Sequence, residues 1–325
     1  MNLQMNRTHR AALWAGALAG TLLASCGGGT QVEKFVPTRV LSFGDESSVI
    51  EDFNADANGR KYTVNSIKSD LVTLDCKANP NWVQYLATAY GMVFPQCNPD
   101  AVAAPASRIF AATNAKVADI ATQVDQSVAA SPFNAKDLVT VLAGANDILA
   151  EYAKFPGVDE ATLTANVELA GTNLAGQVNR IANAGGKVLI STVPDMGLTP
   201  YAVAQKAANT DTDRAALLTR LTVRFNAKVR ANIENDGRKI GLLLLDELVQ
   251  AIVKSPSTSG FVNVTAAACS AALPTCTTLT LVTDPITTLL ASGDSWLWAD
   301  DRHLSAGGQK GLGGLAATRA SGNPF

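Results

Sequence analysis

The chain has 325 residues, of which 47% are hydrophobic and 17% charged, with a formal net charge of −2. That composition suits one or two globular domains with an ample core. It argues against nucleic acid or an anionic membrane surface as partner, since neither is drawn to a weakly acidic chain.

At the amino terminus, Arg7 and Arg10 form a basic head before an uncharged, mostly apolar run from Ala11 to Ala24. The run is too short for a membrane-spanning helix, which takes about 20 residues. It reads as the core of a secretory signal over residues 1–25. Leu23-Ala24-Ser25-Cys26 resembles the lipobox of bacterial lipoproteins. That resemblance implies a lipid anchor on Cys26 and a tether over 26–38, flexible through Gly27-Gly28-Gly29. The alternative is a plain signal cut near Ala24. Gly rather than Asp follows Cys26, which in a two-membrane host favours the outer membrane. The expected product is an exported bacterial lipoprotein, on the outer membrane facing the periplasm or at the cell surface. Loss of the signal removes two Arg and no acid, leaving 24 basic and 28 acidic residues, a net charge of −4.

Export also bears on the cysteines. Cys76, Cys97, Cys269 and Cys276 allow three pairings, and Cys76–Cys97 with Cys269–Cys276 is the expected one, each closing a local irregular segment. His9 leaves with the signal, so His303 is the lone histidine of the mature chain. That argues against a clustered His/Cys zinc site or an HExxH protease.

Val40-Leu41-Ser42-Phe43 reads as a buried strand running into Gly44-Asp45, a tight turn with Asp45, Ser47 and Ser48 as helix caps. Glu51 to Pro80 is polar and turn-rich, with short strands around Lys61–Val64 and Leu71–Leu74. Asn81 to Tyr90 is helical, capped by Asn79 or Asn81 and stopped by Gly91. Arg108 to Ala112 is a short strand and Asn114 to Ala130 an Ala-rich helix. Asp137 to Leu142 is a continuous buried strand, followed by Gly144-Ala145-Asn146-Asp147. Thr162 to Ala184 is a long helix closed by Gly185-Gly186. Lys187 to Val193 and Ile240 to Leu245 are further strands, with a helix over Thr212–Asn235 between them. Helical and loop segments fill Glu247 to Asp294. Trp296-Leu297-Trp298 leads into Asp300-Asp301-Arg302-His303 and a Gly-rich helical tail. Strands alternating with helices predict an α/β fold with a central parallel sheet of about five strands and helices on both faces, in one domain over 39–325.

Three strand ends carry matching chemistry. A Ser hydroxyl is a poor nucleophile until a base takes its proton, and His is the usual base near neutral pH. An Asp three residues before that His can hold it in one tautomer. An Asn amide at a strand end can donate to a developing oxyanion.

With these residues in order, the sequence resembles the GDSL/SGNH hydrolase superfamily, in its lipolytic esterase branch. Phe43-Gly44-Asp45 matches the first block up to the nucleophile. Gly144-Ala145-Asn146-Asp147 matches the block whose Asn supplies an oxyanion donor. Asp300 and His303 match the block of the triad acid and base. Val193 to Pro200 and Ser259 to Thr265 are weaker matches, and the whole runs from Val40 to Leu315. The resemblance implies a three-layer flavodoxin-like fold and carboxylic ester hydrolysis through an acyl-enzyme. It implies a small ester or lipid as substrate, and neither metal nor cofactor.

The pattern is broken where it matters most. Glu46 stands where the family has its Ser, Asn114 where it has an oxyanion Gly, and Leu304 where it usually has Pro. Glu46 admits three readings. Ser47 or Ser48 has taken over as nucleophile; or Glu46 pairs with His303 and leaves a catalytically inactive binding protein; or Glu46 itself is the nucleophile or base. The expected catalytic set is therefore Ser47, Ser48, Asp300 and His303, with Gly44, Asp45, Glu46, Asn114, Gly144 and Asn146 as oxyanion and substrate-binding residues. Asp147 reads as a helix cap, and Trp296 and Trp298 as packing. The Gly-rich tail lacks the Gly-Lys-Ser/Thr ending of a phosphate loop.

Overall fold

The computed structural model describes residues 34–52 and 56–325. The signal segment, Cys26 and the tether through residue 33 lie outside the described residues.

Five parallel strands form the central sheet: β1 (Arg39–Gly44), β2 (Arg108–Ile109), β3 (Asp137–Leu142), β4 (Lys187–Ser191) and β5 (Ile240–Leu243), in the order β2-β1-β3-β4-β5. Their apolar residues alternate between two cores. Leu41, Phe43, Val139, Val141, Val188 and Ile190 point to one face, and Val40, Leu138, Leu142, Leu189 and Leu243 to the other. A strand buried on both sides is mostly apolar rather than alternating, and this is why the inner strands appear in the sequence as near-continuous apolar runs.

The first face is covered by α2 (Val117–Ala130), α4 (Glu160–Asn183) and α6 (Arg214–Asn232), with α3 (Ala145–Tyr152) beside them. The second is covered by α1 (Trp82–Ala89), α7 (Leu245–Lys254) and α8 (Ala306–Gly322). A further helix, α5 (Pro200–Ala208), starts at Pro200 with Thr199 as its cap. The result is the three-layer architecture expected. Of the two proposed caps of α1, Asn81 is the one used: its side chain accepts the Gln84 N–H. Proline suits the first helical position because its missing N–H is not needed there.

The structure differs from the sequence reading in four places. Helix α3 and helix α5 were not anticipated as helices. A strand pair, β6 (Asn263–Ala267) with β7 (Trp296–Trp298), replaces part of the expected loop before His303. The short strands of the second segment pair as Ile50–Glu51 with Arg60–Lys61, and Ser66–Ile67 with Leu74–Asp75. Residues placed in the tether are packed onto the domain: Phe35 is buried, and its ring meets that of Phe325 edge-on at 5.4 Å. Phe35 to Phe325 form one compact unit.

Both expected disulfides are present, Cys76–Cys97 and Cys269–Cys276. Sheet order reverses between β1 and β3, and in open α/β sheets ligands gather at the strand ends of such a switch point. The turns after these two strands hold Glu46 and Asn146.

Candidate active site

The turn after β1 is held from several sides. Gly44 has φ +133°, and a Cβ on it would lie 1.9 Å from the Leu142 carbonyl oxygen, so no other residue fits between β1 and β3. The Gln123 amide clamps Gly44, accepting its N–H at 2.8 Å and donating to its carbonyl at 2.9 Å. Asp45 follows, with its N–H on Leu142 O at 3.0 Å and its carboxylate accepting the Ser47 N–H at 3.0 Å. Asp45 thereby caps a single 3-10 turn, Glu46–Ser48, and that turn decides which side chain enters the site.

Glu46 is the residue that enters. It is only 5% exposed. Its Oε2 accepts the backbone N–H of Asn114 at 2.9 Å and the Nδ2–H of Asn146 at 3.0 Å. Its Oε1 lies 3.1 Å from Nε2 of His303. Two converging N–H groups are what an oxyanion needs, and here a carboxylate oxygen sits between them.

Asn114 adopts φ +60°, a left-handed conformation that Asn tolerates better than most residues. In this conformation its backbone N–H faces the site while the residue is otherwise exposed. Asn146, in the first turn of α3, also donates Nδ2–H to Ala115 O at 3.1 Å, which fixes its amide. Gly144 has φ +123°, and a Cβ there would strike the Phe225 ring at 2.2 Å. It caps α3 and packs against Phe225. The Asp147 carboxylate caps a neighbouring helix rather than its own, accepting the Val117 N–H at the start of α2 at 3.0 Å.

His303 is placed by its own loop. Asp300 Oδ1 accepts the N–H of Arg302 at 2.9 Å and of His303 at 2.7 Å, and Oδ2 meets His303 Nδ1 at 2.8 Å. One carboxylate shapes the turn and orients the ring. Trp296 and Trp298, in β7, are buried behind this loop as packing, and the Trp298 indole donates to Val264 O at 3.0 Å.

Each ring nitrogen of His303 therefore faces a carboxylate oxygen. A neutral imidazole donates from one nitrogen only, so this arrangement selects the imidazolium. Burial alone would lower the imidazole pKa, but hydrogen bonds and charge from Asp300 and Glu46 reverse that and raise it to about 10. Burial would likewise raise Glu46, yet the bond and charge of His303 bring it to about 2. The same pairing holds Asp300 below the usual carboxylate range against its burial. Asp45 is pushed up to about 7 by burial and by the charge of Glu46, only partly offset by its bond to Ser47 and the charge of His303.

The serines sit differently. The Oγ of Ser48 is buried and accepts the Trp82 indole N–H at 3.1 Å, on the α1 side. Ser47 is half-buried, and its backbone N–H is the group bonded to Asp45. Neither serine is hydrogen-bonded to His303, whose two nitrogens are taken by Glu46 and Asp300.

The Glu46–His303 pair stands between two spaces. Inward lies a pocket of about 20 Å³, lined by Asp45, Ser47, Asn146, Pro194 and Gln309, with room for a single water molecule. Outward lies an open groove of about 490 Å³, bordered by Tyr62, Thr113, Asn114, Ser270 and Arg302. Tyr62 packs its ring 5.9 Å from that of His303. Gln123 and Tyr62 were not anticipated from the sequence, where each reads as an ordinary polar or aromatic residue. Among the described residues, no group of three or more His, Cys, Asp or Glu side chains is placed to hold a metal ion.

A scan against protein families matches the GDSL-like lipase/acylhydrolase family over residues 40–313. The chain belongs to this family. The matched span takes in the turns that carry Glu46, Asn146 and His303. Several solved structures are similar. One is a GDSL-like lipase from Parabacteroides merdae, at 12% identity over 88% of this chain and 96% of that one, with a TM-score of 0.44. Another is an acetylxylan esterase from Geobacillus stearothermophilus, at 12% identity over 90% of this chain and 98% of that one, with a TM-score of 0.40. Similarity at this level says nothing about substrate. A search of curated proteins finds no match.

Proposed function

We propose that this member of the GDSL-like family does not hydrolyse esters through an acyl-serine, and that it uses its outer groove to hold a small ligand. One observation carries the reading: the Glu46 carboxylate bridges His303 Nε2, the Asn114 N–H and the Asn146 amide. An esterase needs those three groups free, one as base and two as oxyanion donors. Here all three are satisfied by one side chain, and a protonated His303 cannot take a proton from Ser47 or Ser48. Asn114 N–H, the Asn146 amide and the Asp300–His303 pair are all in place around that carboxylate. A fluorophosphonate probe tests the reading. The wild-type protein should remain unlabelled and should not turn over p-nitrophenyl acetate above a denatured control. Glu46→Ser should become labelled at position 46 and gain esterase activity at least about a hundredfold above wild type, because it supplies a nucleophile and frees both His303 as base and the two oxyanion donors, each worth about that much. Labelling of Ser47 or Ser48 in the wild-type protein would overturn the reading.

We also propose that the mature protein is exported and carries a lipid on Cys26. The support is the basic head, the apolar run and the Leu23–Cys26 sequence, together with two disulfides, which persist in oxidising compartments.

A further inference from the structure

The ion pair that blocks serine chemistry is arranged for another reaction. We infer that Glu46 is a carboxylate nucleophile toward a strained, uncharged carbon electrophile, an epoxide, which it hydrolyses through an ester intermediate to a 1,2-diol. This deepens the reading above, because it rests on Glu46 rather than a serine holding the nucleophile's place.

The two oxygens of Glu46 are not equivalent. Oε2 is held by two N–H donors, whereas among the described residues Oε1 has one hydrogen-bond partner, His303 Nε2, and so keeps a lone pair. Glu46 also lines the outer groove, so a ligand there can approach it. A carboxylate is a competent covalent nucleophile toward saturated carbon. In the first step Oε1 attacks one ring carbon and the carbon–oxygen bond of the ring breaks. The freed alkoxide is protonated from water of the open groove, and His303 restores that proton to the water. The balance works because esterified Glu46 has lost its charge. One of the two carboxylates that keep His303 protonated is gone, so the imidazole releases its proton more readily.

The second step then uses the rest of the site in its usual sense. Neutral His303, still oriented by Asp300, takes a proton from water, and the hydroxide adds to the Glu46 ester carbonyl. The oxyanion forms on Oε2, which already lies between the Asn114 and Asn146 donors and needs no reorganisation. Collapse expels the second diol oxygen as alkoxide, which takes the proton of the regenerated carboxylic acid. Glu46 carboxylate and His303 imidazolium are restored, and the sum is epoxide plus water giving diol.

The groove narrows the electrophile. Asp300, Asp301 and Glu46 border it, and the Arg302 guanidinium is turned to Asp301 at 3.2 Å, so anionic substrates are disfavoured. An epoxide keeps its leaving oxygen in the product, so no separate anion site is needed.

Single-turnover reaction of excess wild-type protein with styrene oxide in heavy-oxygen water tests this. The expected result is diol formation at least about tenfold faster than with Glu46→Gln, the diol free of heavy oxygen and the Glu46 peptide carrying it. His303→Gln should accumulate the ester, seen by intact-protein mass spectrometry. Diol formed no faster than with Glu46→Gln, or heavy oxygen in the diol with Glu46 unlabelled, would overturn the inference. Fluorophosphonate labelling of the same wild-type sample keeps the two ideas apart: a silent probe with no label on Glu46 sinks the nucleophile alone, whereas a labelled Ser47 or Ser48 sinks the earlier reading as well.

Discussion

Glu46 Oε1 and His303 Nε2 lie 3.1 Å apart, although 257 positions separate them in sequence, and both side chains are nearly buried. The contact joins the first strand's turn to the last loop before α8. It makes His303 the cation of an ion pair. Replacing one partner of a buried pair typically costs about 3 to 5 kcal/mol, because the other charge and its donors are left uncompensated. Glu46→Ala should therefore lower the unfolding free energy by about 3 kcal/mol, as measured by urea denaturation, with Glu46→Gln less costly because its amide oxygen can still accept.

Stability should fall as pH rises from acid to alkaline. His303 is raised in the folded state to about 10. Its contribution is complete below the unfolded value of about 6.5 and is lost as pH climbs through 10. Asp45, raised to about 7, adds to the slope in a lower window: protonated in the fold, it favours folding at acid pH and ceases to as pH rises from about 4 to 7. Glu46 acts in the opposite direction. Lowered to about 2, it contributes above pH 4.5 and loses that contribution as the pH drops toward 2. Urea midpoints from pH 5 to 10 should decline for the wild type, and His303→Gln should flatten the limb above pH 7.

The Ser48 hydroxyl serves packing. Ser48→Ala leaves the buried Trp82 indole N–H without its acceptor and should cost about 1 to 3 kcal/mol. It should change neither probe labelling of Glu46→Ser nor diol formation by the wild type. A loss of either in a folded Ser48→Ala protein would give Ser48 a chemical role.

Much of this was legible in the sequence, and the part that was not has a local cause. Four of the strands, β1, β3, β4 and β5, show as mostly apolar runs because both their faces are largely buried, whereas the edge strand β2 is short and partly exposed. Asn146, Asp300 and His303 were identifiable because each follows a strand at a readable spacing. What could not be read was which of residues 46–48 faces the imidazole. That depends on one 3-10 turn, whose three side chains point in different directions, and on the Gln123 clamp from a distant helix. The pair β6 and β7 was missed because Asn263–Ala267 is short and only partly buried, with no apolar run to mark it. Helix α3 was hidden behind the motif that opens it.

The Cys76–Cys97 bond closes a separation of 21 residues that spans helix α1, before β2. By loop-closure arguments its loss should cost about 3 kcal/mol. The Cys76→Ala, Cys97→Ala double variant should show that drop in urea, with the groove and its ion pair retained.

The central claim is that Glu46 and Asp300 together hold His303 as an imidazolium. Nitrogen-15 NMR of the His303 side chain at about pH 8, assigned by its loss in His303→Gln, tests it directly, since an ordinary histidine is neutral there. Both ring nitrogens should carry protons in the wild-type protein, and the titration midpoint should fall in Glu46→Gln. A neutral ring with one bare nitrogen at that pH, in a folded protein, would contradict the account.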